Sequence, residues 1–234
     1  MTTVSGTIAF VLHARPYRES SLLLELLTAA EGRMGAVLRG VRDRGRRPPL
    51  FASLEVTWRG RGELRTLTGW EELGGVSLSG NRAVCGLYIN ELAVRLLPRQ
   101  IPQPEFLAVY AGTLSALGDP GLALEPALRR YELALLNLLG EGLEFVVVKD
   151  LEPRRLYRVD PLSGVREADP HDTPSSPRTI QGEALAALLT DRLDTPAHRI
   201  QAKRLLRGLL DHHLDGKPIL SRQLFARGRP DVSS

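Results

Sequence analysis

The sequence is poor in cysteine. Cys85 stands alone among 234 residues, which excludes an intrachain disulfide and any zinc site built on cysteines. On an apolar helix face it reads as a buried, inert thiol. Aromatic residues make up only 5% of the chain, so the core has to be assembled from Leu, Val and Ala. Lysine is limited to Lys149, Lys203 and Lys217, and all the rest of the 31 basic residues are arginine. No apolar run reaches the ~18 residues of a membrane span. The opening segment "MTTVSGTIAFVLH" has neither the charged start nor the long apolar centre of a secretory signal. A cytoplasmic protein with no membrane partner is expected. Catalytic signatures are missing too: there is no Gly-x-Ser-x-Gly, no phosphate-cradling P-loop and no His-Glu-x-x-His. His212 and His213 are adjacent, hence about 100° apart on a helix and badly placed for a shared metal. Glu71 and Glu72 read as the solvated end of a strand. Nothing in the chain looks like an active site, and neither a cofactor nor a metal is expected.

What the chain has instead is patterned basic charge. The net charge is +4, but it is unevenly spread. Residues 1–80 carry a net +3, residues 81–189 a net −3 and residues 190–234 a net +4. The densest stretch runs from Arg39 to Arg47 and holds Arg39, Arg42, Arg44, Arg46 and Arg47 against one aspartate. Arginine favours bidentate phosphate contacts, and a loop of five guanidinium groups repels itself unless an anion offsets it.

Up to residue 75 the pattern is that of β-structure. Strands are predicted at 6–14, 21–29, 33–41, 52–60 and 62–70, with the Arg-rich loop between the third and fourth. Helix competes at "SLLLELLTA" because Leu and Glu favour it, but the run is short and lies among strands. Five strands of this length suit a small closed barrel. From residue 80 the period turns helical. Asn81 can cap a helix running to Leu97, and further helices are expected at 104–118 and 125–140, each opening near a proline and closing on a glycine. "LEFVVVKD" and "RRLYRVDPLSGVREA" look like short strands, two more helices follow at about 181–191 and 196–214, and "KPILSRQLFARGRP" forms a tail.

Two constellations carry binding chemistry. The first is the arginine loop, extended by Arg33, Arg59, Arg61 and Arg65 from neighbouring strand ends. Small five-stranded barrels hold single strands in basic grooves with aromatic platforms, and Tyr17, Phe51, Trp58 and Trp70 are the available rings, although alternation places Trp58 on the inward face. The second is helical. Arg129, Leu133 and Leu136 fall at i, i+4 and i+7, and Arg199, Lys203 and Arg207 form a later stripe beside Leu206 and Leu210. A groove between such stripes, with an apolar floor and basic walls, suits an acidic peptide. The same leucines also serve to fill a bundle.

Segments in a fixed order also carry a resemblance: "AFVLHARPYRESSLLLELLTAAEGRMGAVLRGVR", "GRGELRTLT", "GLYINEL", "EPALRRYELALLNLLG" and "GKPILSRQLF". Over nearly the whole chain they resemble the RecO family, the DNA recombination and repair mediators of the bacterial RecF pathway. The resemblance implies an α+β architecture, an N-terminal five-stranded OB-fold barrel followed by an α-helical C-terminal domain. It implies binding of single- and double-stranded DNA and annealing of complementary strands. It also implies cooperation with RecR in loading RecA, and recognition of the acidic C-terminal tail of single-stranded DNA-binding protein. The tail pocket would fall on Arg129, Leu133, Lys203, Leu206 and Arg207. Many members carry a four-cysteine zinc module between helical segments. The matching stretch here, about 145–175, has no cysteine, so a small β insertion without metal is expected.

The resulting expectation is a barrel over residues 1–79 and a helical domain over 80–234, with 141–178 as the cysteine-free insertion. DNA would be held by Arg33, Arg39, Arg42, Arg44, Arg46, Arg47, Arg59, Arg61 and Arg65. The expected role is that of a non-enzymatic, nucleoid-associated mediator. The rival readings are a protein-only adaptor, which would not bind naked DNA, and a nuclease, which would require a clustered acidic metal set near the basic loop.

Overall fold

The computed structural model describes residues 3–41, 47–141, 143–160 and 163–227. Five strands come first: β1 (Thr3–Tyr17), β2 (Ser21–Thr28), β3 (Gly32–Leu38), β4 (Ala52–Arg59) and β5 (Leu64–Gly75). Then come α1 (Gly80–Leu96), α2 (Pro104–Gly118) and α3 (Leu124–Leu138). Three short strands, β6 (Leu156–Asp160), β7 (Gly164–Glu167) and β8 (Thr179–Gln181), precede α4 (Gly182–Leu189), α5 (Pro196–His213) and α6 (Leu220–Arg227). The chain divides into two compact units, residues 1–122 with everything from Ile219 onward, and residues 123–218.

In the first unit β1–β5 close into a barrel in the order β1-β2-β3-β5-β4. Every neighbouring pair is antiparallel except β3 with β5, which are parallel. This is the arrangement of an OB-fold. The residues of β2 explain why a Leu/Glu-rich run became a strand. Leu22, Leu24 and Leu26 are buried at period two, while Ser21, Leu23 and Glu25 between them stay half-exposed. Burial on one face of a pleat outweighs the helical preference of the residue types. β1 is long enough to serve both barrel neighbours: its second half pairs with β2 and its first with β4. It bends at an irregularity between Val11 and His13 and at another between Val4 and Thr7. Gly6, at φ +70°, lies within the latter, as bulge geometry favours. Leu24, Leu26, Met34, Leu54, Val56 and Trp58, all fully buried, fill the interior.

The barrel does not stand on its own strands alone. Asn90 of α1 is buried and its amide donates to Leu12 O at 3.0 Å and Val11 O at 3.4 Å, carbonyls next to the β1 irregularity. Its Oδ1 accepts from the Tyr110 hydroxyl of α2 at 2.7 Å. The Tyr110 ring meets Phe10 of β1 edge-on, with centroids 5.1 Å apart, and burial pushes its phenol far up from its ordinary pKa. A strap of residues 97–102 runs along the start of β3. Gln100 N–H donates to Arg33 O at 2.9 Å, and Arg33 Nε donates to Leu97 O at 2.8 Å. Gly32 holds φ +65°, and a Cβ there would stand 1.9 Å from Ile101 O. Both the turn and the strap therefore require glycine.

The stretch expected to be a tail instead forms α6. Its start is held by a carboxylate on another helix: Glu91 accepts from Leu220 N and Ser221 N at 2.8 Å and from Ser221 Oγ at 2.7 Å. An anion at a helix N-terminus satisfies orphan donors and the local dipole. The cap is supplied from a distant part of the chain, so no local sequence signal announces it. Burial raises the Glu91 pKa, but the three hydrogen bonds and Arg95 outweigh it and set it below the usual 4.5. A depressed carboxylate stabilises above its unfolded pKa and loses that contribution as pH falls through the folded value. Amide exchange in α6 should therefore accelerate below about pH 4.5 in the wild type, and already at neutral pH in Glu91→Ala.

In the second unit β7-β6-β8 form a small antiparallel sheet, and α5 packs against α3, α4 and β8. The sheet and its loop carry Arg–carboxylate pairs: Arg158 with Asp172, Arg155 with Glu167, and Arg166 with Asp169. Among the described residues no cluster of three or more His, Cys, Asp or Glu could hold a metal. Two local expectations are corrected here. "LEFVVVKD" is not a strand but two single 3-10 turns, Leu143–Phe145 and Val148–Asp150. It has no paired strand, and Phe145 is 81% exposed, so β-propensity had neither ladder nor core to act on. In the first unit the cap position of α1 is Ser79, which places Asn81 inside the first turn.

Candidate nucleic-acid interface

The register of the barrel can be followed strand by strand around its outside. Arg15 pairs with Leu23, Leu23 with Val37, Val37 with Thr66 and Thr66 with Arg59. These five positions form one row across β1-β2-β3-β5-β4. Four strand spacings of about 4.8 Å put its two arginines about 19 Å apart around the surface. The next row towards the arginine loop begins with Tyr17 opposite Ser21. It continues through Arg39, which directly follows β3, and Thr68, whose hydroxyl donates to Thr57 O at 3.2 Å. The third row holds His13 opposite Glu25, then Gly35 and Leu64. The outer face is thus hydroxyl-bearing and apolar, with arginines at both margins and in the middle.

Arg15, Arg39, Arg47 and Arg59 are exposed, and among the described residues none of their side chains forms an ion pair or hydrogen bond. Arg18, in the β1–β2 turn, lies 5.2 Å from the Tyr17 ring, a cation–π contact. Arg61 is exposed in the β4–β5 turn. The one carboxylate on the third row, Glu25, is already engaged by Arg33 at 3.3 Å and by Arg99. Exposed guanidinium groups without carboxylates bind phosphate at little desolvation cost, and each neutralised phosphate releases counterions.

Two arginines expected on this patch are not available to it. Arg33 is largely buried between Glu25 and Leu97 O, and burial first, then the neighbouring Arg99, lowers its pKa. Arg65 points inward, pairs with Glu31 at 2.8 Å and lies 5.7 Å from the Trp58 ring. Period-two alternation, which puts Leu67 and Arg65 on the same face, carried that information in the sequence. Arg42, Arg44 and Arg46 lie outside the described residues. Conversely, Arg15 and Arg18 are exposed on the barrel and are absent from the expected set. The signal that could have found Arg15 is its even spacing from His13 and Tyr17 on β1, which puts it on the face opposite the core.

The helical stripe splits in a similar way. Arg129 is 6% exposed and donates to Glu132 Oε1 at 3.0 Å, while its Nε has no hydrogen-bond partner among the described residues. Leu206 is fully buried and Leu133 half-buried. Lys203 is exposed and lies 3.5 Å from Glu125 in the first turn of α3, which brings α5 and α3 together at the expected groove. Arg207 is exposed beside Asp211 at 3.8 Å. His213 is bonded to the buried Glu141 at 2.5 Å.

A family model described as "Recombination protein O N terminal" matches residues 1–75, and one described as "Recombination protein O C terminal" matches residues 78–223. The "DNA repair protein RecO" of Pseudomonas paraeruginosa is 42% identical over 230 residues, covering 96% of both chains. That of Methylococcus capsulatus is 43% identical over 231 residues, covering 93% of this chain and 91% of the relative. That of Halorhodospira halophila is 39% identical over 234 residues, covering 96% and 98%. Matched from barrel to α6 and built on an OB-type barrel, the chain belongs to the RecO family of DNA repair and recombination proteins.

Proposed function

We propose that the protein is a non-enzymatic recombination mediator that holds DNA phosphates on the outer face of its barrel. The observation that carries this reading is the set of exposed arginine side chains without ion pairs among the described residues, Arg15, Arg39 and Arg59 on a face whose Glu25 is already neutralised, with Arg47 in the loop before β4. Phosphate contacts position a strand but do not read its bases, so single- and double-stranded DNA both bind. Neutralising two strands lowers their mutual repulsion, which accelerates annealing of complementary strands without ATP. In this reading the protein works with RecR and helps load RecA onto strands coated by single-stranded DNA-binding protein.

The acidic C-terminal tail of that coating protein docks between α3 and α5, where Lys203 exchanges Glu125 for the tail and Leu133 lines the floor. Arg129 supports the groove from within through Glu132, and Arg207 adds long-range attraction. A Lys203→Glu substitution is expected to weaken binding of a tail peptide about tenfold through like-charge repulsion, with DNA affinity unchanged. Fluorescence anisotropy of the labelled peptide checks it. The DNA reading itself is tested by titrating a labelled single strand and a duplex: binding of both, weakening with salt, supports it, and failure to bind naked DNA leaves a protein-only adaptor.

A further inference from the structure

The four rings available for stacking sort by face. Trp58 is fully buried, and Trp70 packs against the barrel core. Phe51 lies on α1, where a Cβ at Gly86 would stand 2.7 Å from its Cε1. Tyr17 is the fourth. It closes β1, half-buried, opposite Ser21 and on the same outward alternation as His13 and Arg15. Among the described residues its hydroxyl has no hydrogen bond, and its ring carries the Arg18 guanidinium 5.2 Å from the centroid.

The surroundings suit a single nucleic-acid chain. Arg15 and Tyr17 are two residues apart on one face of a strand, a step of about 6.8 Å. Charge and ring thus alternate along β1 as phosphate and base alternate along a polynucleotide. The turn after Tyr17 is drawn against the root of the arginine loop: Val41 N–H donates to Ser20 O at 2.9 Å. Arg39, two residues before Val41, is exposed. Glu25, opposite His13, is already engaged by Arg33 and Arg99, and Glu19 in the turn is outnumbered by Arg15, Arg18 and Arg39. At an exposed site a cation–π contact is weaker than the stack of a base on an aromatic ring. A base arriving at Tyr17 therefore displaces the guanidinium, which is freed for the phosphate beside it.

We propose that Tyr17 seats one unpaired nucleobase of a single DNA strand, with Arg15 and Arg18 holding the phosphates on either side. The inference rests on the DNA-binding reading above and adds to it a subsite that only single strands fill. Duplex bases are already stacked and paired, so a duplex engages the arginines and leaves the ring to Arg18.

The test uses the full chain and three end-labelled probes of equal length: a dT strand, the same strand with abasic residues in place of its bases, and a duplex. Anisotropy reads their affinities. Wild type should bind dT more tightly than the abasic strand. Tyr17→Ala should weaken dT binding roughly 5- to 150-fold, the span of one base–aromatic stack, and should lose most of the preference for dT over the abasic strand. Tyr17→Phe should restore both. Duplex binding should be equal in all three proteins, and that also shows the variants are folded. Independently of any variant, irradiating the wild type on a strand carrying 5-iodouracil should cross-link the base to the peptide that holds Tyr17. An equal loss of dT and duplex binding in Tyr17→Ala, an unchanged preference for dT over the abasic strand, or a cross-link that maps elsewhere overturns the base site while leaving DNA binding in place. Absence of wild-type binding to every probe removes the underlying reading as well.

Discussion

Replacing Asn90 with leucine is expected to lower the melting temperature by about 10 °C. The side chain is 2% exposed and its amide and carbonyl are used by Leu12 O, Val11 O and the Tyr110 hydroxyl. Leucine matches the volume but leaves all three partners buried without their hydrogen bond. Each such orphan costs about 1–3 kcal/mol; at the lower end of that range the three amount to about 3–4 kcal/mol, at roughly 2–4 °C per kcal/mol for a chain of this size. Asn90→Asp should be nearly as damaging, because a carboxylate cannot donate to the two carbonyls. Differential scanning calorimetry checks both. A shift of under 2 °C would mean that Asn90 does not tie α1 and α2 to the β1 bend. The same reasoning predicts that a fragment ending at residue 79 does not fold stably, since it lacks Asn90, Tyr110 and the 97–102 strap.

The second large effect concerns DNA. Arg15→Ala, Arg39→Ala and Arg59→Ala combined should weaken single-strand binding roughly 100-fold at low salt, at about 1 kcal/mol per lost contact. The slope of log affinity against log salt should flatten by roughly 2, at 0.7 per phosphate on single strands. All three side chains are exposed and without ion pairs among the described residues, so the fold should be untouched. Arg33 and Arg65 make the informative contrast. Removing either is expected to destabilise the barrel rather than to alter the salt slope: loss of Arg65 leaves Glu31 without its ion pair, and loss of Arg33 leaves Glu25 with Arg99 alone and removes the tie to Leu97 O. In the native fold Arg65 also holds Glu31 below its ordinary pKa, through their hydrogen bond against the opposing effect of burial.

The architecture was legible in the sequence where periodicity was strong. The alternation of Leu22, Leu24 and Leu26, and the Pro-to-Gly bounds of α2, announced their elements and did not depend on distant partners. What local patterns could not carry was anything supplied from elsewhere in the chain. The α6 segment has no cap of its own and is held by Glu91. The "FVVV" run is β-prone but finds no neighbouring strand. The candidate site was read with the same mixture. Composition pointed to an arginine patch, and register sorts the candidates by face. Arg39 and Arg59 fall on the outer face beside the overlooked Arg15, while Arg33 and Arg65 are turned into ion pairs. In the helices, Arg129 of one expected stripe and Leu206 beside the other proved to be interior, as a 3.6-residue period permits for a core as readily as for a groove.

In the proposed function the barrel's outer face brings two DNA strands together. The most direct test follows the annealing of two complementary labelled oligonucleotides with wild type and with the Arg15/Arg39/Arg59 triple alanine variant, at 50 and 200 mM salt. The wild type should anneal fast and slow with salt. The variant should retain its melting temperature but anneal close to the protein-free rate. Annealing by the folded variant at the wild-type rate, with the same salt dependence, would contradict this reading and would place the DNA site elsewhere on the molecule.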